Sequence, residues 1–317
     1  MSSASEGPIR GSSVPLLTRV PRFATLLTDD GVPVEAVYEP CTAGSGAGTE
    51  PVAEVPVIVV AHGFTGSADR PAVRRAARVF SQRAAVITFS FRGHGRSGGR
   101  STVGDREVLD LAAAVTWART LGHSRVVTVG FSMGGSVVLR HGALYTDGSE
   151  GDTDGSEGDS DARGASVRVP VRERRAEERS GAHSGAHADA VVSVSSPARW
   201  YYRGTAPMRR LHWVVTRPSG RLVGRYGFRT RIATDDWDPV PLSPVAAVPL
   251  IAPAPLLLVH GDRDPYFPLD HPRMLAGAAG EGGAELWLER GMGHAENAAD
   301  EALLSRIAAW ATAAPPA

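Results

Sequence analysis

Two serines in this chain sit in the pattern Gly-x-Ser-x-Gly: Ser97 in GRSGG and Ser132 in GFSMG. A serine hydroxyl is a poor nucleophile until a base takes its proton and an acid orients that base. The pattern serves this chemistry when a strand runs directly into it and a helix directly out, because small flanking residues let the turn close and the hydroxyl project beyond the strand end. RVVTVG leads into Ser132, and GGSVVLRHGALY leaves it at helical spacing. The apolar run before Ser97 ends at Phe91, and RSTVGD intervenes before the next helical pattern. Ser132 is therefore the candidate nucleophile, and Ser97 reads as part of a turn.

The acid and then the base are expected to follow such a serine in chain order. His141, His212, His260, His271 and His294 follow it outside a low-complexity stretch. His141 lies on the serine's own helix, His212 in an aromatic segment, His260 at a strand end and His271 at a helix start. His294, in the glycine-flanked loop GMGHAEN, is the candidate base. Asp262 and Asp264 compete for the acid in VHGDRDPYFP. Asp262 suits the backbone donors of a turn, whereas Asp264 stands further out in a loop stiffened by Pro265 and Pro268, and is preferred. A tetrahedral oxyanion needs two donors: the backbone N–H after the serine, from Met133, and one from the loop in VIVVAHGFTG, where Phe64 is the candidate. His62 reads as structural.

GHGRSG, residues 93–98, also matches a dinucleotide-binding pattern. That fingerprint should follow the first strand of a nucleotide domain, open a helix at once and have an acid ending the next strand. Here the strand is about the fourth, no helix follows immediately, and Asp110 lies within a helical pattern. A turn built of glycine is the better reading.

Composition narrows the field. The 317 residues are 42 % hydrophobic with zero formal net charge, which favours neither nucleic acid nor an anionic membrane as the main partner. Cys41 is the only cysteine, so neither a disulfide framework nor a cysteine zinc site is possible within one chain. All 34 basic residues are arginine, which removes the lysine of a Walker loop and any Schiff-base lysine. No cofactor and no metal are expected. No apolar run approaches a membrane span, and MSSASEGPIRGSSVPLLTRV lacks a signal-peptide core, so a cytoplasmic enzyme or binding protein is expected. Oligomeric state is left open.

These residues need a scaffold, and the pattern supplies one. Apolar, β-rich runs at FATLLT, VPVEAVYE, VPVIVVAHG, AAVITFSF, RVVTVGFS, DAVVSVSS, PLLLVHGD and AELWLE alternate with helical stretches such as PAVRRAARVFSQR and ENAADEALLSRIAAWATA. Continuous apolar runs suit strands covered on both faces, so an α/β fold with a mostly parallel, eight-stranded sheet between helices is predicted. In REVLDLAAAVTWARTLG, the core face is expected at Leu109, Ala112, Ala113 and Trp117, with Gly122 as a C-cap. Residues 1–19 read as a flexible tail before one domain over 20–317. Residues 146–189 repeat TDGSEGD and SGAH and are expected to be a disordered insertion. Residues 198–249 hold aromatic residues and arginines with no acid before Asp235, and read as a folded excursion from the sheet.

HGFTG (62–66), FRGHGRSGG (91–99), GFSMGG (130–135), HGDRDPYFP (260–268) and GMGH (291–294), in this order, resemble the α/β-hydrolase fold superfamily over residues 20–315. The nearest branch resembles monoglyceride-lipase-like and serine-aminopeptidase-like hydrolases. The resemblance implies that the RGHG loop is structural, so Arg92 and His94 are not catalytic, and that 198–249 is a cap shaping an acyl pocket. A serine at position 132, rather than aspartate, argues against epoxide hydrolase and haloalkane dehalogenase chemistry. The implied activity is hydrolysis of carboxylic esters, with a small-molecule acyl substrate as partner, through an acyl-enzyme on Ser132, Asp264 and His294. A peptidase or thioesterase with the same triad is the near alternative, and a non-catalytic ligand receptor the distant one.

Overall fold

The computed structural model describes residues 20–42, 55–146, 185–280 and 283–314. The expected tail at 1–19 and most of the expected insertion, 147–184, lie outside the described residues. The expectation for 146–189 is corrected at its end, because the chain is in place from Gly185 and Asp189 is buried. The Asp189 carboxylate accepts from Val126 N at 2.6 Å and pairs with Arg119 at 2.8 Å. The SGAH repeat conceals this anchor, since its partners lie 63 and 70 positions upstream.

Eight strands form one sheet: β1 (Arg22–Leu27), β2 (Pro33–Glu39), β3 (Val57–Ala61), β4 (Ala85–Phe89), β5 (Val126–Phe131), β6 (Ala190–Val194), β7 (Leu256–Gly261) and β8 (Glu285–Glu289). Their order is β1-β2-β4-β3-β5-β6-β7-β8, with β1 and β2 antiparallel to their neighbours and the rest parallel. This is the α/β-hydrolase fold.

β3 to β7 are buried along their full length, as strands sandwiched between helices must be. Alternation then divides β3 between two cores. Val57, Val59 and Ala61 join one core with α2 (Glu107–Thr120) and α3 (Met133–Leu144). Ile58 and Val60 join the other with α1 (Pro71–Phe80) and α9 (Glu301–Ala313). The remaining helices are α4 (Ala206–Thr216), α5 (Pro218–Gly227), α6 (Pro244–Ala247), α7 (Asp270–Ala278) and α8 (Ala295–Ala298).

α2 departs from its expected face. It buries Val108, Leu111, Ala112, Ala114, Val115 and Ala118, while Leu109, Ala113 and Trp117 are only partly buried. The segment LAAAV is apolar on nearly every side, so spacing alone does not select the buried face. Gly122 does follow the helix end in the left-handed region, with φ +99°.

Chain order reverses between β3 and β5: β4 lies on one side of β3 and β5 on the other. In open α/β sheets the crevice beyond the strand C-termini at such a point is where ligands bind. The loops leaving β3, β5, β7 and β8 there carry Phe64, Ser132, Asp264 and His294. The stretch 147–184 is attached at the opposite end, between α3 and β6, because Ala190 pairs with Val127 near the start of β5.

Candidate active site

The turn at Ser132 has φ +53° and ψ −112°, conformations that an L residue adopts only when its surroundings impose them. Two features impose them. Ser132 N is held by Val194 O at 2.9 Å, and the flanking glycines leave room for the turn. A Cβ on Gly130 would stand 2.1 Å from Gly134 O, and one on Gly134 would stand 2.2 Å from Ala61 O. Strand, turn and helix therefore close only with glycine at these positions.

Ser132 Oγ lies 2.8 Å from His294 Nε2, and His294 Nδ1 lies 2.7 Å from Asp264 Oδ2. The other Asp264 oxygen accepts from Tyr266 N at 2.8 Å and Phe267 N at 3.1 Å. Burial pushes the Asp264 carboxyl up, but the His294 hydrogen bond and charge, with the two N–H donors, outweigh it and hold the group below its ordinary value. An ionised Asp264 accepts only, so Nδ1 carries the proton and Nε2 is free to accept from the hydroxyl. The rings of Tyr266 and Phe267 pack on the imidazole at 4.4 and 5.6 Å.

Asp262 is occupied elsewhere, accepting Gly291 N at 2.6 Å in the turn. Ser97 is buried, donating to Ser90 O at 2.5 Å and accepting Glu35 N at 3.0 Å. The other histidines also have local roles. His260 Nε2 meets Phe267 O at 2.9 Å, His271 Nδ1 accepts Ala198 N at 2.9 Å, and His212 Nε2 meets Tyr202 O at 3.1 Å. His141 is buried in α3 and stacks on Tyr145 at 4.6 Å.

Met133 N and Phe64 N, the two candidate oxyanion donors, have no backbone acceptor among the described residues. The preceding amide of Gly63 is taken by Glu296 Oε1 at 3.2 Å. The Phe64 peptide is held from behind, since the His94 ring nitrogen Nε2 contacts Phe64 O. His62 bonds Gly63 O through Nδ1 at 2.7 Å and accepts Phe91 N through Nε2 at 3.0 Å. Burial pushes its pKa down to about 3, so the ring is neutral. His62 and His94 thus brace this loop and the RGHG loop against each other. Arg92 is buried in ion pairs with Asp110 at 2.8 Å and Asp30 at 2.7 Å.

Ser132 opens into a cavity of about 450 Å³. Trp200, Tyr201 and Trp237 form one wall, with ring centroids 5.1 and 5.5 Å apart, and Met208, Leu211 and Ile232 add aliphatic surface. The wall is tied to the body: Trp237 Nε1 donates to Thr102 O at 2.7 Å and Trp200 Nε1 to Pro241 O at 3.0 Å. Thr102 is itself fixed by the buried Glu107, which accepts from Thr102 N at 2.9 Å and Thr102 Oγ1 at 2.7 Å. Glu296 and Glu107 were not singled out from sequence, because each is an acid within a helical segment with no motif around it. Among the described residues no cluster of metal-binding side chains occurs, and no helix is long and apolar enough to cross a membrane.

A family model described as the alpha/beta hydrolase family matches residues 58–305. No curated protein matches the chain. Among solved structures, the Pyrococcus furiosus esterase Pf2001 is similar at 19 % identity and a TM-score of 0.60, over 92 % of this chain and 90 % of that one. GrgF from Penicillium sp. sh18 is similar at 16 % identity and 0.57, over 87 % and 91 %. XC6422 from Xanthomonas campestris, described as a serine hydrolase without a lid, is similar at 18 % identity and 0.51, over 94 % of each chain. At these identities the likeness is one of fold.

Proposed function

Because this chain belongs to the alpha/beta hydrolase family, we propose that it hydrolyses carboxylic esters of small molecules through an acyl-enzyme on Ser132. The observation that carries this reading is the continuous hydrogen-bonded chain from Ser132 through His294 to Asp264, at 2.8 and 2.7 Å, opening on an apolar cavity. Ser132 Oγ attacks the ester carbon while His294 Nε2 takes the hydroxyl proton, and Asp264 stabilises the imidazolium. The oxyanion is met by the N–H groups of Met133 and Phe64. His294 returns its proton to the departing alcohol. Water, deprotonated in turn by His294, then cleaves the acyl-enzyme and frees Ser132. The apolar cavity receives the less polar part of the substrate.

A fluorophosphonate probe tests the nucleophile, and a panel of esters, thioesters and aryl amides tests the bond cleaved. The expected result is labelling of the wild-type protein but not of Ser132→Ala, with esters turned over fastest. Preferred cleavage of amides or thioesters would reassign the substrate class. An unlabelled wild-type protein inert to the whole panel would leave only ligand binding.

A further inference from the structure

α5 is built the wrong way round for a helix of a soluble core. Its inner face is Gly220 and Gly224, where an added Cβ would meet Trp213 O at 2.2 Å and Ile232 Cδ1 at 3.0 Å. Leu222, Val223 and Tyr226 project from the opposite face, 57, 43 and 75 % exposed. Trp213 on α4 and Phe228 at the end of α5 are also exposed among the described residues. An apolar cluster of this kind marks an interaction surface.

Along this stretch of the chain the charge has one sign, and acids return only at Asp235, Asp236 and Asp238. Residues 198–234 contain nine arginines and no aspartate or glutamate. Arg209, Arg210, Arg217, Arg225 and Arg229 are exposed, and none forms an ion pair with a described carboxylate. The Arg225 guanidinium lies 5.6 Å from the Tyr226 ring centroid, so charge and apolar surface are interleaved.

We propose that this face of the cap docks on an anionic lipid surface. Aliphatic and aromatic side chains with arginines between them in the chain match the boundary between acyl chains and headgroups, with acidic headgroups facing the guanidinium groups. A second copy is a poorer occupant, because it would set arginines against arginines. The acidic run between Asp147 and Asp161 is a poorer one too, because the chain enters and leaves it at the opposite end of β6 from the cap. Val215 and Arg221 of the same two helices line the cavity, so docking would bring the cavity against the lipid. The proposal does not depend on the chemistry at Ser132.

Co-sedimentation of the full chain with phosphatidylcholine vesicles, alone or mixed with phosphatidylserine, tests it. Binding to the mixed vesicles is expected to exceed binding to the neutral ones by roughly ten-fold and to fade with added salt. The triple variant Arg217→Gln, Arg225→Gln, Arg229→Gln should lose that excess. The triple variant Leu222→Ser, Val223→Ser, Tyr226→Ser should weaken binding to both vesicle types, with thermal unfolding unchanged because these side chains bury little. Equal binding to neutral and anionic vesicles, or a full chain that stays in the supernatant with both, overturns the proposal. Vesicle binding indifferent to both variants also overturns it, and loss of a dimer in the serine variant without such binding assigns the face to a second copy instead.

Discussion

Glu296 accepts the backbone N–H of Gly63 at 3.2 Å, bridging positions 233 residues apart. Gly63 immediately precedes Phe64, and Glu296 is two residues beyond His294. One buried carboxylate therefore couples the loop carrying the candidate base to the loop carrying a candidate oxyanion donor. Glu296→Ala leaves the Gly63 amide unpaired and frees the loop. It is expected to lower kcat on the order of 10- to 100-fold with KM little changed, since the misplaced donor acts only in the transition state. Glu296→Gln keeps an acceptor and should restore most of the rate. Steady-state kinetics of the two variants check this, and equal losses in both would refute the positional account.

Ser132→Ala should remove at least about 10³-fold of kcat while leaving the fold intact. Ser97→Ala should leave kcat near wild type, because the Ser97 hydroxyl is used in bridging Ser90 O, past the end of β4, to Glu35 N on β2. Its expected deficit is in stability, about 1 kcal/mol for the lost hydrogen bonds. Kinetics and urea unfolding of the two variants separate the roles, and a reversal of the pattern would move the nucleophile.

Asp264→Asn should reduce kcat by about 10³- to 10⁴-fold, because the amide favours the wrong imidazole tautomer and carries no charge. Asp262→Asn should keep most activity, since its carboxylate serves Gly291 N. Comparable losses in the two variants would show that the acid is shared.

His62 and His141 are neutral in the fold, with burial pushing each pKa from 6.5 down to about 3. The unfolded chain therefore binds more protons than the folded one between these values, and stability falls as pH drops below about 6.5. Each such group adds about 1.4 kcal/mol per pH unit to the slope. His271, pushed down to about 4, and His94, His123, His212 and His260, also lowered by burial, act in the same direction. Asp264, held below its ordinary value, adds a loss in the same direction at lower pH, below the usual carboxylate range. His141→Phe keeps the stack on Tyr145 and should lower the slope just below neutrality by one group's share, about 1.4 kcal/mol per pH unit. Urea unfolding from about pH 7.5 to about pH 5 measures it, and an unchanged slope would mean that His141 is charged in the fold.

Much of this architecture is legible in the sequence because burial on both faces writes strands as continuous apolar runs, as at VIVVA and LLLVHG. The candidate site is legible because Ser132 and Asp264 each sit just past such a run, and His294 follows the last strand, ELWLE, by five residues. Asp262 and Asp264 could be ranked because a carboxylate adjacent to the strand has turn amides to satisfy, as Asp262 does at Gly291. The buried face of α2 was not legible, because LAAAV offers apolar residues in every direction. Nor were Glu296 and Glu107. Their partners are backbone amides, at Gly63 and Thr102, and an amide leaves no mark on the sequence by which its partner can be found.

The positive-φ turn at Ser132 sets the proposed nucleophile against the residue that would be most comfortable there. Its φ of +53° suits glycine, and for a serine such a conformation costs on the order of 1–3 kcal/mol. Ser132→Gly should therefore melt at a higher temperature than Ser132→Ala, although neither has a hydroxyl to attack with. It should also match or exceed wild type, because relief of the turn offsets the lost Oγ–His294 hydrogen bond and the greater freedom of an unfolded glycine. On the proposed mechanism the change that most relaxes this turn also removes the nucleophile, so stability and reactivity pull position 132 in opposite directions.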